Sequence, residues 1–135
     1  MDVRDGMNAF HLAIPVRNLD EAQHFYVNQL GCHLARRYED RITIDFFGDQ
    51  VVCHLSERWD AGPLQLYPRH FGITFRSRDD FDALLFLVET RHLAVFAPCQ
   101  PRFKDLVEEH LTFVLADPSG NLMEFKHYRD PRMMY

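Results

Sequence analysis

The stretch His11-Leu12-Ala13-Ile14-Pro15-Val16-Arg17-Asn18-Leu19-Asp20-Glu21 returns 59 positions later as His70-Phe71-Gly72-Ile73-Thr74-Phe75-Arg76-Ser77-Arg78-Asp79-Asp80. Each copy opens on a histidine, alternates large and small residues over a strand's length, and then turns to a capping signature. Asn18 with Glu21, and Ser77 with Asp80, pair an N-cap side chain with an acid three positions on. Behind the first cap stand Ala22, Phe25 and Tyr26, and Gly31 is suited to end the helix as its C′ residue. Behind the second, Phe81, Leu84, Leu85 and Val88 keep the i, i+3, i+4, i+7 spacing of an amphipathic helix, expected from Asp79 to about Arg91. Strand, cap and helix face recurring together identify an internal repeat.

After each helix the pattern changes to short strand-like runs. The first copy predicts strands at His33 to Tyr38, Ile42 to Phe47 and Val51 to Leu55, with Gly48-Asp49 as a turn. The second predicts Leu93 to Ala97, Leu111 to Ala116 and Leu122 to His127, with a turn at Asp117-Pro118-Ser119-Gly120-Asn121. Module one is expected over about residues 8–56 and module two over about 70–128, joined by a connector at 57–69 that holds Gly62, Pro63 and Pro68. The stretch Pro98 to Glu109 reads as a long irregular loop of functional size. The fold class is therefore α+β, two βαβββ modules forming a cupped eight-stranded mixed sheet.

The composition agrees with one globular domain. A chain of 135 residues, 47% hydrophobic and 26% charged, has enough apolar surface for a core and is neither disordered nor fibrous. A net charge of −5 lacks the basic footprint of a sequence-independent nucleic-acid binder. No apolar run approaches the roughly 20 residues that span a bilayer, and the first six residues, Met1 to Gly6, lack a secretory apolar core. Three cysteines (Cys32, Cys53 and Cys99) without C-x-x-C spacing argue against a disulfide scaffold and for the cytoplasm.

Side chains alternate between the faces of a strand. Phe10, Leu12, Ile14 and Val16 share one face, and Phe71, Ile73 and Phe75 the equivalent one, which should pack beneath the helices. His11 and His70 then lie on opposite faces from these, among the small residues Ala13 and Gly72. Near the module ends, Gln50, Val52 and His54 share a face, as do Leu122, Glu124 and Lys126. A sheet that curls can line its hollow with His11, His54, His70 and Glu124, three imidazoles and a carboxylate that make a metal-ligand inventory. A lone strand histidine is ordinarily a hydrogen-bonded, partly buried residue, but two at repeat-equivalent places raise the case for ligation. Glu124, between Met123 and Phe125, needs a partner charge or a metal. His54 competes with Gln50 on its own face. His24, His33, His92, His110 and His127 read as surface or structural residues, and Arg36, Arg37 and Arg41 as an exposed patch. Cys53 should point into the core, and Trp59 in the connector offers a ring on which a ligand could stack.

From about Asn8 to Tyr128 the chain resembles the glyoxalase/bleomycin-resistance/extradiol-dioxygenase superfamily, the vicinal oxygen chelate fold. The resemblance is carried by Phe10-His11-Leu12-Ala13-Ile14-Pro15-Val16, by Phe25-Tyr26 with Leu30-Gly31, by His70-Phe71-Gly72, and by Asp117-Pro118-Ser119-Gly120-Asn121-Leu122-Met123-Glu124-Phe125. Phe46 to Leu55 and Arg102-Phe103-Lys104 are similar to an uncharacterised glyoxalase-like branch. The resemblance implies a divalent metal (Zn, Ni, Mn or Fe) held by His11, His54 or Gln50, His70 and Glu124, and a homodimer, often with metal sites built from both chains. It implies bidentate binding of a small substrate through neighbouring oxygens, the metal acting as Lewis acid and Glu124 as the nearest base. His54 stands where glyoxalase I carries a second glutamate, which puts that enzyme's proton relay in doubt. Val114 stands where ring-cleaving members carry a tyrosine, which favours lyase or isomerase chemistry over dioxygenation. Arg102 and Lys104 are candidates to hold a substrate carboxylate or phosphate. A second reading of the same resemblance is a non-catalytic protein that sequesters an antibiotic, and a third is a regulator that has lost its metal.

Overall fold

The structure, a computed structural model, describes residues 8–57 and 65–135. The expected elements at Trp59, Gly62 and Pro63, and the N-terminal Met1 to Gly6, lie outside the described residues. The chain divides into two compact units, residues 1–61 and 62–135, each a βαβββ module.

In the first unit, β1 (His11–Val16) leads into α1 (Leu19–Gln23), and β2 (His33–Arg37), β3 (Arg41–Phe46) and β4 (Asp49–Leu55) follow. The Asn18 side chain accepts from the Glu21 backbone N–H at 2.9 Å, the cap expected from the sequence. Beyond Gln23 the helix widens into a π-helical turn over His24–Gln29, and the Leu30 N–H donates to the Phe25 carbonyl at 2.8 Å. Gly31 then takes φ 89°, the left-handed conformation that ends the helix. Leu19, Ala22, Phe25 and Tyr26 are buried with Ile42, Ile44, Val51 and Cys53. The sheet order is β1-β4-β3-β2, with β1 parallel to β4 and the remaining pairs antiparallel.

The second unit repeats the plan with β5 (Phe71–Thr74), α2 (Arg78–Thr90), β6 (Val95–Arg102), β7 (His110–Ala116) and β8 (Leu122–Tyr128), followed by a short 3-10 turn. Ser77 caps α2 through the Asp80 N–H, and Phe81, Leu84 and Val88 are its buried stripe. The order is β5-β8-β7-β6, with β5 parallel to β8. Phe81, Phe113 and Phe125 pack ring against ring, with Phe113 and Phe125 stacked at 5.3 Å. The eight strands thus form two four-stranded sheets, one in each module.

Three expectations change. The stretch Pro98 to Glu109 is not one long loop, because β6 runs through Pro98 and Pro101 to Arg102 and leaves only residues 103–109 outside the ladder. β6 is an edge strand with register shifts around Ala97, so proline's missing N–H costs no ladder bond on the open side. The first hairpin turns on Phe47-Gly48 rather than Gly48-Asp49. Both take positive φ, 54° and 94°, as a tight hairpin requires, and Asp49 already belongs to β4. Phe10, expected on the packed face, precedes β1 and is 59% exposed.

Candidate functional site

The turn before β8 sets the position of Glu124. The Asp117 carboxylate accepts from the backbone N–H groups of Ser119 and Asn121 at 2.9 and 2.8 Å, and Gly120 takes φ 85°. This Asx-type turn closes the β7–β8 hairpin tightly and puts Ala116 opposite Leu122, Val114 opposite Glu124 and Thr112 opposite Lys126. Glu124 is consequently buried at 9% exposure between two hydrophobic strands.

Two groups meet its carboxylate. Oε2 accepts from the Thr112 hydroxyl at 2.6 Å, and Oε1 lies 3.2 Å from His70 Nε2. His70 itself is oriented from behind, with Nδ1 2.8 Å from the Leu66 carbonyl and the Tyr67 ring edge-on at 5.7 Å. A carbonyl oxygen only accepts, so Nδ1 is assigned the proton. Nε2 then carries either a second proton or a lone pair facing a carboxylate oxygen. A lone pair facing a carboxylate oxygen at that separation needs a proton or a cation between the two. A backbone carbonyl fixing Nδ1–H so that Nε2 points at a carboxylate is the arrangement that prepares a histidine to bind a metal. His70, Glu124 and the supporting Thr112 therefore fit a divalent ion chemically.

Gly72 permits this geometry. It stands opposite Glu124 in the parallel β5–β8 ladder, and a Cβ added there would fall 1.7 Å from the Glu124 backbone oxygen. The close approach of the two strands is what sets His70, one residue before β5, within reach of the carboxylate.

In the first unit, His11 is exposed at the start of β1, and its ladder partner is Gln50. His54 is exposed four residues further along β4, opposite Pro15 and Arg41, about 13 Å from Gln50 at a strand's rise per residue. The register thus sets Gln50 beside His11 and His54 away from it. The position equivalent to Glu124 is Val52, because Ala13 pairs with Val52 as its repeat counterpart Gly72 pairs with Glu124. Among the described residues no group of three or more His, Cys, Asp or Glu side chains that could hold a metal comes together.

Arg102 closes β6 opposite His110 and is half-buried, with its guanidinium 5.7 Å from the Phe103 ring, whereas Lys104 is exposed on residues 103–109. Among the remaining histidines, His24, His33 and His92 are exposed, and His127 meets the Phe75 carbonyl at 2.9 Å. His110 is buried against Tyr128, ring centroids 4.5 Å apart. Cys53 is buried, and burial pushes the Cys32 thiol up to about 12, so neither is a nucleophile. Sequence reasoning missed Thr112, whose signal was its alternation with Phe113 opposite the β8 face that carries Glu124.

The family model for the Glyoxalase/Bleomycin resistance protein/Dioxygenase superfamily matches residues 9–125. A solved glyoxalase/bleomycin resistance protein/dioxygenase structure from Alicyclobacillus acidocaldarius is 59% identical, with a TM-score of 0.94, covering 98% of this chain and 100% of that one. A lactoylglutathione lyase of Neisseria meningitidis is 32% identical over 85 residues, 57% of this chain and 62% of that protein, so the match spans under two thirds of the curated relative. The fosfomycin resistance protein FosX of Listeria monocytogenes shares the fold at a TM-score of 0.68 and 12% identity, over 94% of this chain and 98% of that one.

Proposed function

This chain belongs to the glyoxalase/bleomycin resistance protein/dioxygenase superfamily, and on that premise we propose that it is a metal-dependent enzyme of lyase or isomerase type acting on a small substrate with neighbouring oxygens. The observation that carries this reading is the His70–Glu124–Thr112 arrangement, an imidazole lone-pair position turned toward a buried, hydrogen-bonded carboxylate. A divalent ion, Zn, Ni, Mn or Fe, supplies Lewis acidity to an oxygen on which negative charge develops.

His70 presents Nε2, with its tautomer held by the Leu66 carbonyl. Glu124 presents Oε1 while Thr112 retains Oε2, so the carboxylate keeps its orientation as charge near it changes. Glu124 is also the nearest base able to take a substrate proton. Within module one, His11 with His54, or with Gln50 as the β1–β4 register supports, is a further set of donors to a divalent ion. Arg102 and Lys104 hold an anionic part of the substrate. The protein acts as a cytoplasmic homodimer, and no described helix is long and apolar enough to cross a membrane.

Metal analysis by mass spectrometry on tag-free protein tests the assignment. The expectation is about one ion per chain, lost when His70→Ala and Glu124→Ala are combined in a variant that still melts cooperatively. Failure of the folded wild type to take up Zn, Ni, Mn or Fe(II) on reconstitution overturns it. Tight binding of a small molecule without turnover would then favour a sequestering role.

A further inference from the structure

The sheet face that carries Glu124 continues past it. Beside the Val114–Glu124–Gly72 row, the ladder sets a second row of Gln100, Thr112, Lys126 and Thr74, and a third of Arg102, His110 and Tyr128. Contacts across these rows place their side chains on one face. Thr112 reaches Glu124, Lys126 Nζ donates to the Tyr128 hydroxyl at 3.4 Å, and the Tyr128 ring packs on His110.

Lys126 is unusual in this setting. It is half-buried, it lies 5.4 Å over the Tyr128 ring, and among the described residues it has no carboxylate partner. Arg102, also half-buried and in the adjacent row, has none there either. Six cations elsewhere pair with a carboxylate, Arg17 with Glu21, Arg37 with Asp20, Arg41 with Asp40, Arg78 with Asp82, Arg129 with Glu109 and Arg132 with Asp130, and Arg36, Arg69, Arg76 and Lys104, which among the described residues have none, are exposed. Arginine supplies every other basic position except Lys104. Two half-buried cations on one face, with no carboxylate paired to either among the described residues, leave donors free for an anion to join them.

We propose that Lys126, backed by Tyr128 and with Arg102 beyond it, is the anion-holding residue of this site and selects substrates that carry a carboxylate or phosphate group next to their metal-binding oxygens. The spacing suits that task. Lys126 is two residues from Glu124 on the same face, about 7 Å along the strand, the length of a small acid. Tyr128 and His110 form a rigid wall that keeps the ammonium from folding away, and the phenol hydroxyl offers a second donor. The inference rests on the functional reading above and adds Lys126 on β8, beside Glu124, as the principal contact for the anion that Arg102 and Lys104 also hold.

Calorimetric titration of the purified protein with inorganic phosphate, and separately with malonate, tests it. Saturable binding of at least one probe is expected, and the preferred probe distinguishes phosphate from carboxylate. Lys126→Met should weaken it by about tenfold or more, the usual worth of a charge-assisted hydrogen bond. Lys126→Arg should stay within about fivefold, because the charge remains. Arg36→Met, a surface control in module one, should match wild type. Glu124→Gln should lose metal yet keep the anion affinity. Wild-type affinity in a folded Lys126→Met variant, or no saturable binding of either probe to wild type, overturns the inference while leaving the metal reading standing. Anion binding lost in Glu124→Gln but kept in Lys126→Met means the probe sat on the metal, and it also overturns the inference. Full metal content in Glu124→Gln, with Lys126 still required for the anion, fails the metal reading alone.

Discussion

Replacing Gly72 with alanine tests how the two strands that build the site are held. The new Cβ would lie 1.7 Å from the Glu124 carbonyl oxygen, 2.7 Å from its carbonyl carbon and 3.0 Å from its nitrogen. These are backbone atoms of β8, whose Met123 and Phe125 are fully buried, so they cannot rotate aside. Relief must come from β5, a four-residue edge strand, moving outward by more than an ångström. Ladder bonds such as Phe75 N–H to the Lys126 carbonyl, now 2.7 Å, would then stretch beyond useful length. Losing two or three of them costs about 1–4 kcal/mol, and the lower entropy of the unfolded alanine chain returns roughly 0.4–1 kcal/mol. The net is about 2 kcal/mol, or about 7 °C in melting temperature for a chain of this size. Urea unfolding should show a lower midpoint at unchanged m, and amide exchange should rise first in β5. Because His70 precedes β5, its contact with Glu124 should open in the same variant. A melting loss under about 2 °C with β5 protection intact would refute the steric argument.

Two further outcomes follow from the same geometry. Thr112→Val removes the donor to Glu124 Oε2 without changing side-chain shape, leaving a buried carboxylate oxygen unpaired. It should cost about 1–3 kcal/mol in urea unfolding and weaken metal uptake by about 10–100-fold, with Thr112→Ser restoring most of both; equal stability of the valine and serine variants would count against the bond. Cys32, whose thiol burial raises to about 12, and buried Cys53 should resist iodoacetamide at pH 8 in the native protein. Half-buried Cys99, also raised by burial, should react slowly; rapid labelling of Cys32 would mean that the first module opens readily.

Much of the fold was legible because its signals are local. A cap reaches three residues, an amphipathic stripe repeats every turn, and strand faces alternate every second residue, so Asn18, Ser77, Phe81, Leu84 and the Asp117 to Asn121 turn announce their roles in order along the chain. The histidine-led repeat and the buried glutamate likewise needed only alternation. The widening of α1 into a π-helical turn had no such signal, and the prolines of β6 pointed the wrong way because their cost depends on whether a neighbour lies on that side.

By itself the sequence determined the two βαβββ modules, the helix caps, and the faces on which His70 and Glu124 stand. Only tertiary structure decided what lies beside what. Register is a relation between strands distant in sequence, and alternation leaves it free to slide by two residues without changing a single face. That freedom is why Gln50 and His54 were equally eligible companions for His11 until the β1–β4 ladder set Gln50 beside it and Val52 opposite Ala13. It is also why the hydroxyl of Thr112 and the ammonium of Lys126 became neighbours of Glu124 only when β7 and β8 closed on their hairpin.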